Sequence, residues 1–108
     1  MVRVLFVCGK ARMRSPTAAD IAASWAGVEA DFAGLSRDAD ERISVEHIAW
    51  ADVIAVMEKR QKSKLSSQFG NLLAQKKVVV LSVPDKFSYM EPALVEVLEP
   101  KLRHLLKL

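Results

Sequence analysis

The sequence predicts an α/β fold, in which a four-stranded parallel sheet carries helices on both faces. Four apolar runs alternate with stretches of helical periodicity along the 108 residues, which is the pattern of successive βαβ units. The runs are rich in valine and isoleucine without polar alternation, as expected of strands covered on both faces. We therefore expect one domain that spans residues 1–108.

The four predicted strands are residues 2–7, 29–33, 52–57 and 77–83. Each is short, apolar and bounded by polar or turn-forming residues, as buried strands usually are. In parallel sheets, ligands bind beyond the carboxyl ends of the strands. The residues that follow Val7 and Val83 are therefore expected to share one crevice, although they lie far apart in sequence.

Helices are predicted to connect and follow these strands. Ser15 is a favourable N-cap and Pro16 suits the first helical position, so the first helix is expected to begin there and to end at Gly27. Ser44 is expected to cap a short second helix, and a third is predicted over residues 59–69. The last is predicted over 91–108, where Pro100 should kink or split it.

Composition limits the function classes. The chain is 51% hydrophobic with a formal net charge of +3, so it can bury a core and mildly favours anionic partners. No apolar run is long enough to span a bilayer, and no signal-peptide core is present, so we expect no membrane partner and a cytoplasmic location. Cys8 is the only cysteine, which excludes an internal disulfide and a multi-cysteine metal site.

The segment Cys8 to Ser15 reads C-G-K-A-R-M-R-S and follows the first strand directly. A loop closed between Cys8 and Arg14 can direct backbone N–H groups at an oxyanion, and the following helix adds its positive end. Such surroundings favour a thiolate, while a guanidinium binds two phosphate oxygens. Ser15 can donate a hydrogen bond to the sulfur. The predicted phosphate-binding residues are Gly9, Lys10, Ala11, Arg12, Met13, Arg14 and Ser15.

Asp85, after the fourth strand, is the candidate general acid. It would protonate the leaving oxygen and then, as a carboxylate, activate water against the phosphocysteine. An ordinary turn aspartate after Pro84 is an equally good interpretation. Phe87 and Tyr89 could line an aromatic entrance for a phosphotyrosine ring or a nucleobase. The alternative for one of the two is packing under the last helix.

The stretch V-L-F-V-C-G-K-A-R-M-R-S-P resembles the start of the low-molecular-weight protein tyrosine phosphatases, whose loop reads C-x5-R-S-P. D-F-A-G-L, A-D-V-I-A-V-M-E and V-P-D resemble that family's second strand and turn, third strand and acid loop. The resemblance implies the family's three-layer architecture, a Cys8 nucleophile, an Arg14 phosphate clamp and an Asp85 acid, with no metal or cofactor.

The sequence departs from the family pattern inside the loop. Lys10 and Ala11 stand where the family usually carries Gly and then Asn, and Met13 replaces a common second cysteine. The acid loop has its proline before the aspartate instead of after it. The chain is also short between the second and third strands, a region that shapes the substrate entrance in the family.

The leading functional hypothesis is hydrolysis of phosphate monoesters, such as a phosphotyrosine-like aryl phosphate on a protein or a small molecule, through a phosphocysteine. Action on nucleotide or RNA-end phosphates is an alternative, because Lys10 and Arg12 could hold a second phosphate, with Arg37 and Arg42 extending the patch. A non-catalytic phosphate-binding module is another. Arsenate reduction normally uses further cysteines, which this sequence lacks. The sequence does not define the oligomeric state.

Overall fold

The computed structural model describes residues 1–107. Its strands and helices follow in this order: β1 Val2–Cys8, α1 Arg14–Ala23, β2 Val28–Gly34, α2 Val45–Trp50, β3 Val53–Val56, α3 Lys59–Phe69, a 3₁₀ turn Gly70–Leu73, β4 Lys77–Val80 and α4 Pro92–Leu106. None of these helices is long and apolar enough to cross a membrane.

The four strands form one parallel sheet in the order β2-β1-β3-β4. Helices α1 and α4 cover one face, over a core centred on Phe6 and Met57. Helices α2 and α3 cover the other face, over Leu5 and Ile54. The predicted architecture is therefore confirmed, and it follows from strands whose side chains are apolar on both faces.

Strand β1 occupies the centre of the sheet because Val4 to Val7 are apolar without interruption and completely buried. The chain passes from β1 to β2 on one side and to β3 and β4 on the other. The carboxyl end of β1 is thus the point where the connections change direction, which is where open α/β sheets form their ligand crevice. Cys8 is the last residue of this strand.

Several element boundaries differ from the sequence prediction. Strand β4 ends at Val80 instead of residue 83, because Ser82 adopts a left-handed φ of 57°. Helix α4 continues through Pro100 without a break and ends at Leu106, so the predicted split is wrong. The predicted helical end at residue 108 lies outside the described residues. Helix α1 stops at Ala23, earlier than the Gly27 stop expected.

Gly34 brings the segment after β2 against the loop that follows β1. The backbone N–H of Leu35 donates to the Cys8 carbonyl over 3.0 Å, and that of Ser36 donates to the Gly9 carbonyl over 2.8 Å. A Cβ at Gly34 would lie 2.6 Å from the Gly9 carbonyl oxygen and 2.6 Å from the Cβ of Ala39. Only glycine therefore permits this close backbone approach.

We expect Gly34→Ala to lower the free energy of unfolding by about 1–3 kcal/mol, because the added methyl group forces backbone to move. Urea denaturation at neutral pH measures the change. Gly9→Ala is the matched control, since a Cβ there meets no heavy atom within 4 Å. Equal stability of the two variants would show that the close approach at Gly34 is not required.

Candidate active site

Cys8 lies at the bottom of the loop between β1 and α1 and is only 4% exposed. Its Sγ is 3.2 Å from the backbone nitrogen of Ala11, whose N–H donates to the sulfur. The Oγ of Ser15 lies 3.0 Å from the same sulfur. The Ala11 N–H and the Ser15 hydroxyl therefore both contact the sulfur at the N-terminal end of a helix.

The predicted capping role of Ser15 is wrong. Helix α1 begins at Arg14 with Met13 at the N-cap position, so Ser15 is already inside the first turn. Its hydroxyl is completely buried and faces the Cys8 sulfur. A side chain that contacts the sulfur from within the helix cannot also cap the helix. Pro16 accordingly occupies the third helical position instead of the first.

Ala11 has a left-handed φ of 59°, at the position where the resembled family usually carries Asn. This conformation costs an alanine roughly 1–2 kcal/mol, because its Cβ approaches the carbonyl oxygen. The conformation aims the Ala11 N–H at the sulfur. The loop therefore places this N–H against the sulfur without the residue type that ordinarily tolerates such a φ.

Arg14 is buried, with 4% of its side chain exposed. Its Nη1 donates to Oε1 of Glu58 over 2.6 Å and to the Val83 carbonyl over 2.7 Å. Its Nε is 3.9 Å from Oδ1 of Asp85. The guanidinium is thus fixed beside the loop by groups that follow β3 and β4. That Arg14 binds two phosphate oxygens through its other guanidinium nitrogens remains a prediction.

Glu58 contacts the buried guanidinium of the candidate site, a position that the sequence analysis did not predict. The hydrogen bond from Arg14 is the main reason why the pKa of Glu58 lies below its ordinary value, and Arg60 adds to the effect. Gln61 fixes the turn, because its Oε1 accepts from the N–H groups of Met57 and Glu58 over 3.0 and 2.9 Å. Its position in the sequence could have indicated this contact, because Glu58 follows a buried strand at the carboxyl edge of the sheet.

Asp85 lies at the rim of the same cavity as Cys8 and Arg14, with 66% of its side chain exposed. The structure therefore brings together the three residues proposed from sequence as catalytic, and their roles stay predictions. The segment that carries Asp85 is tied to α1, since the N–H of Met90 donates to Oγ1 of Thr17 over 2.9 Å.

The two aromatic residues of the predicted substrate entrance lie apart from the cavity over Cys8. Phe87 is half-buried and packs against the core under α1 and α4, as the alternative interpretation expected of one of the two aromatics. Tyr89 is exposed, and its hydroxyl donates to the Asp20 carboxylate on α1, which raises the pKa of Tyr89. Neither ring lines the cavity over Cys8.

Lys10 and Arg12 are paired with carboxylates of the segment after β2. Lys10 Nζ is 3.2 Å from Oδ2 of Asp38, and Arg12 Nε is 2.9 Å from Oδ1 of Asp40. A hydrogen bond from Ser36 and the contact with Lys10 lower the pKa of Asp38 to about 2. Both basic side chains of the loop therefore have a carboxylate partner, although all four groups remain exposed.

The cavity above Cys8 has a volume of about 370 Å³. The residues that line it come from the loop, from the segment after β2, from the start of α3 and from the acid loop: Cys8, Gly9, Lys10, Arg12, Met13, Arg14, Ser36, Arg60, Gln61 and Asp85. A larger cavity of about 610 Å³ runs along β4 and α4. Its lining among the described residues has no thiol, hydroxyl or carboxylate side chain, so it offers no comparable nucleophile.

No protein-family model matches the sequence, and no curated protein matches it. Solved structures do. The tyrosine phosphatase Wzb from Escherichia coli K30 matches with a TM-score of 0.80 at 14% identity, over 99% of this chain and 98% of its own. SP-PTP, a low molecular weight protein tyrosine phosphatase from Streptococcus pyogenes, matches with a TM-score of 0.78 at 15% identity, over 100% and 93%. This chain has the low-molecular-weight protein tyrosine phosphatase fold.

The YwlE arginine phosphatase from Geobacillus stearothermophilus has the same fold, with a TM-score of 0.75 at 20% identity, over 99% of this chain and 94% of its own. The low-molecular-weight protein tyrosine phosphatase fold is thus matched over essentially the whole chain, despite the short connection between β2 and α2. That connection, in this chain, supplies the carboxylates that pair with Lys10 and Arg12.

We expect Glu58→Gln to lower the free energy of unfolding at pH 7. In acid, the variant and the parent protein should have nearly equal free energies of unfolding. Because the folded-state pKa of Glu58 is depressed, its carboxylate stabilises the fold above the ordinary value of 4.5, and this contribution is lost as the pH falls below 4.5. Urea denaturation of both proteins across this range measures it.

Glu29→Gln, at an exposed position on β2, is the control and should leave stability at pH 7 nearly unchanged. A difference between Glu58→Gln and the parent protein that stayed constant from neutral to acid pH would contradict a stabilising Arg14–Glu58 pair.

Proposed function

We propose that this protein is a cysteine-dependent phosphatase that hydrolyses phosphate monoesters through a phosphocysteine intermediate. The observation that carries the proposal is the convergence on one buried sulfur of the Ala11 N–H and the Ser15 hydroxyl, at 3.2 and 3.0 Å. A buried, oriented guanidinium lies beside it in the same cavity. These are the parts needed to attack phosphorus and to stabilise the charge that develops on its oxygens.

In the first step, the Cys8 thiolate forms a bond to phosphorus as the bond from phosphorus to the leaving oxygen breaks. Asp85 transfers its proton to that oxygen, so the alcohol or phenol departs neutral. Loop N–H groups and Arg14 hold the equatorial oxygens. In the second step, the Asp85 carboxylate takes a proton from water, whose oxygen attacks phosphorus. The S–P bond breaks, inorganic phosphate leaves, and Ser15 stabilises the departing thiolate.

The proposed substrate class is a phosphotyrosine-like aryl phosphate. Of the structural neighbours, Wzb and SP-PTP are tyrosine phosphatases and YwlE is an arginine phosphatase. A phosphorylated protein or small ester is therefore the proposed partner, and the cytoplasmic location stays a prediction.

The nucleotide alternative loses part of its basis, because Lys10 and Arg12 contact Asp38 and Asp40. No aromatic residue among residues 1–107 lines the cavity over Cys8, so a stacking surface is missing for a base and for a phosphotyrosine ring alike. Activity measurements on variants of Cys8 and Asp85 distinguish a phosphatase from a non-catalytic phosphate-binding module.

We expect Cys8→Ser to reduce hydrolysis of p-nitrophenyl phosphate by more than about a thousandfold, because the hydroxyl is a far weaker nucleophile than the thiolate. Phosphate or vanadate binding, measured by calorimetry, should persist, which distinguishes lost chemistry from lost folding. Rapid acid quench of the parent protein should trap phosphate on Cys8. If the parent protein binds vanadate but hydrolyses no ester, the non-catalytic module is the correct function.

We expect Asp85→Asn to slow hydrolysis of alkyl phosphates by about 10²- to 10⁴-fold, since their leaving oxygens need a proton. Hydrolysis of p-nitrophenyl phosphate, whose leaving group departs readily as an anion, should slow much less in its phosphorylation step. Stopped-flow release of the leaving group compares the esters. Asp52→Asn, an exposed carboxylate near the amino end of β1, is the control. An equal effect of Asp85→Asn on every ester would exclude Asp85 as the acid.

A further inference from the structure

A second cavity of about 270 Å³ adjoins the one above Cys8. The two share Gly9, Ser36, Arg60 and Gln61 in their linings, and the second adds Lys64. A substrate held over Cys8 can therefore extend directly into the second cavity. Its volume is large enough for a side chain that ends in a carboxylate or a phosphate.

Two cationic side chains line this second cavity. Arg60 and Lys64 are separated by one turn of α3, a spacing that places both on the same face of the helix. Among the described residues, no carboxylate lines this cavity. Arg60 uses its Nε to contact Oε2 of Glu58 over 3.1 Å, while 76% of its side chain stays exposed. No carboxylate in residues 1–107 lies within 4 Å of Lys64.

The other cations near Cys8 are differently placed. Lys10 and Arg12 already contact Asp38 and Asp40, and Arg14 is buried against Glu58. A second anion on the substrate would have to displace those carboxylates, whereas at Arg60 and Lys64 it meets cationic groups with fewer competitors. The positive charge that is available to a second anion therefore lies on α3. The sequence analysis had placed this anion site on the loop, at Lys10 and Arg12.

We propose that Arg60 and Lys64 form a subsite for an acidic side chain next to the phosphorylated residue of a peptide substrate. A peptide follows from the phosphotyrosine-like substrate class proposed above, and two cationic side chains with no carboxylate in the described lining of the second cavity are complementary to an acidic side chain. The proposal rests on the proposed phosphatase function and adds a sequence preference to it.

Two phosphotyrosine peptides that differ only in Glu or Gln beside the phosphotyrosine test the subsite. We expect the parent protein to hydrolyse the Glu peptide with a kcat/KM about 3- to 10-fold higher, and expect this ratio to fall as salt screens the charges. Lys64→Gln should bring the ratio close to one. Lys62→Gln, at an exposed position two residues earlier on α3, should keep the ratio of the parent protein.

A ratio of one in the parent protein, or a preference that survives Lys64→Gln, would overturn the subsite. If the parent protein hydrolyses neither peptide, calorimetric binding of the same pair decides. If the protein then binds the Glu peptide more tightly and this preference depends on Lys64, the subsite is supported although the proposed reaction is wrong. If there is no such preference, both the subsite and the proposed reaction are wrong. If Lys64 instead determines a preference for nucleoside diphosphates over monophosphates, and none between the peptides, the subsite binds a phosphate and not the proposed acidic side chain.

Discussion

The burial of the Arg14 guanidinium is the constraint on which the rest of the site depends. A cation taken out of water is tolerated only with a charged partner and hydrogen-bond acceptors around it. Here these come from Glu58, which follows β3, and from the Val83 carbonyl, which follows β4. Because Arg14 itself follows β1, three strand ends converge on one side chain, and Asp85 is brought within reach by the same convergence.

The sequence predicted the elements that depend on local pattern. The apolar runs and the limits of α3 followed from periodicity, and the meeting of Cys8 with Asp85 followed from the rule that parallel strands present their carboxyl ends at one edge. What could not be predicted depends on pairs distant in sequence. Arg14 with Glu58, and Lys10 with Asp38, are contacts across 44 and 28 positions, and no local pattern indicates which charge meets which.

The support for the loop comes from the short connection that follows β2. Backbone N–H groups in residues 35–40 donate to the carbonyl groups of residues 8–10, and two ion pairs connect the same segments. This connection therefore holds Ala11 in a left-handed conformation that alanine does not favour by itself. Exposed ion pairs contribute little energy individually, so the backbone hydrogen bonds and the packing at Gly34 account for most of the restraint.

The burial of a single sulfur also has a consequence for oxidation. A sulfenic acid condenses with a second thiol to form a disulfide and water, and attack by a further thiolate on that disulfide then releases the cysteine thiolate. Cys8 is the only cysteine in these 108 residues, and Met13, with no thiol, stands in the loop beside Arg14. A thiol that restores Cys8 through a disulfide must therefore come from another molecule. It must also be small enough to reach a sulfur that is only 4% exposed.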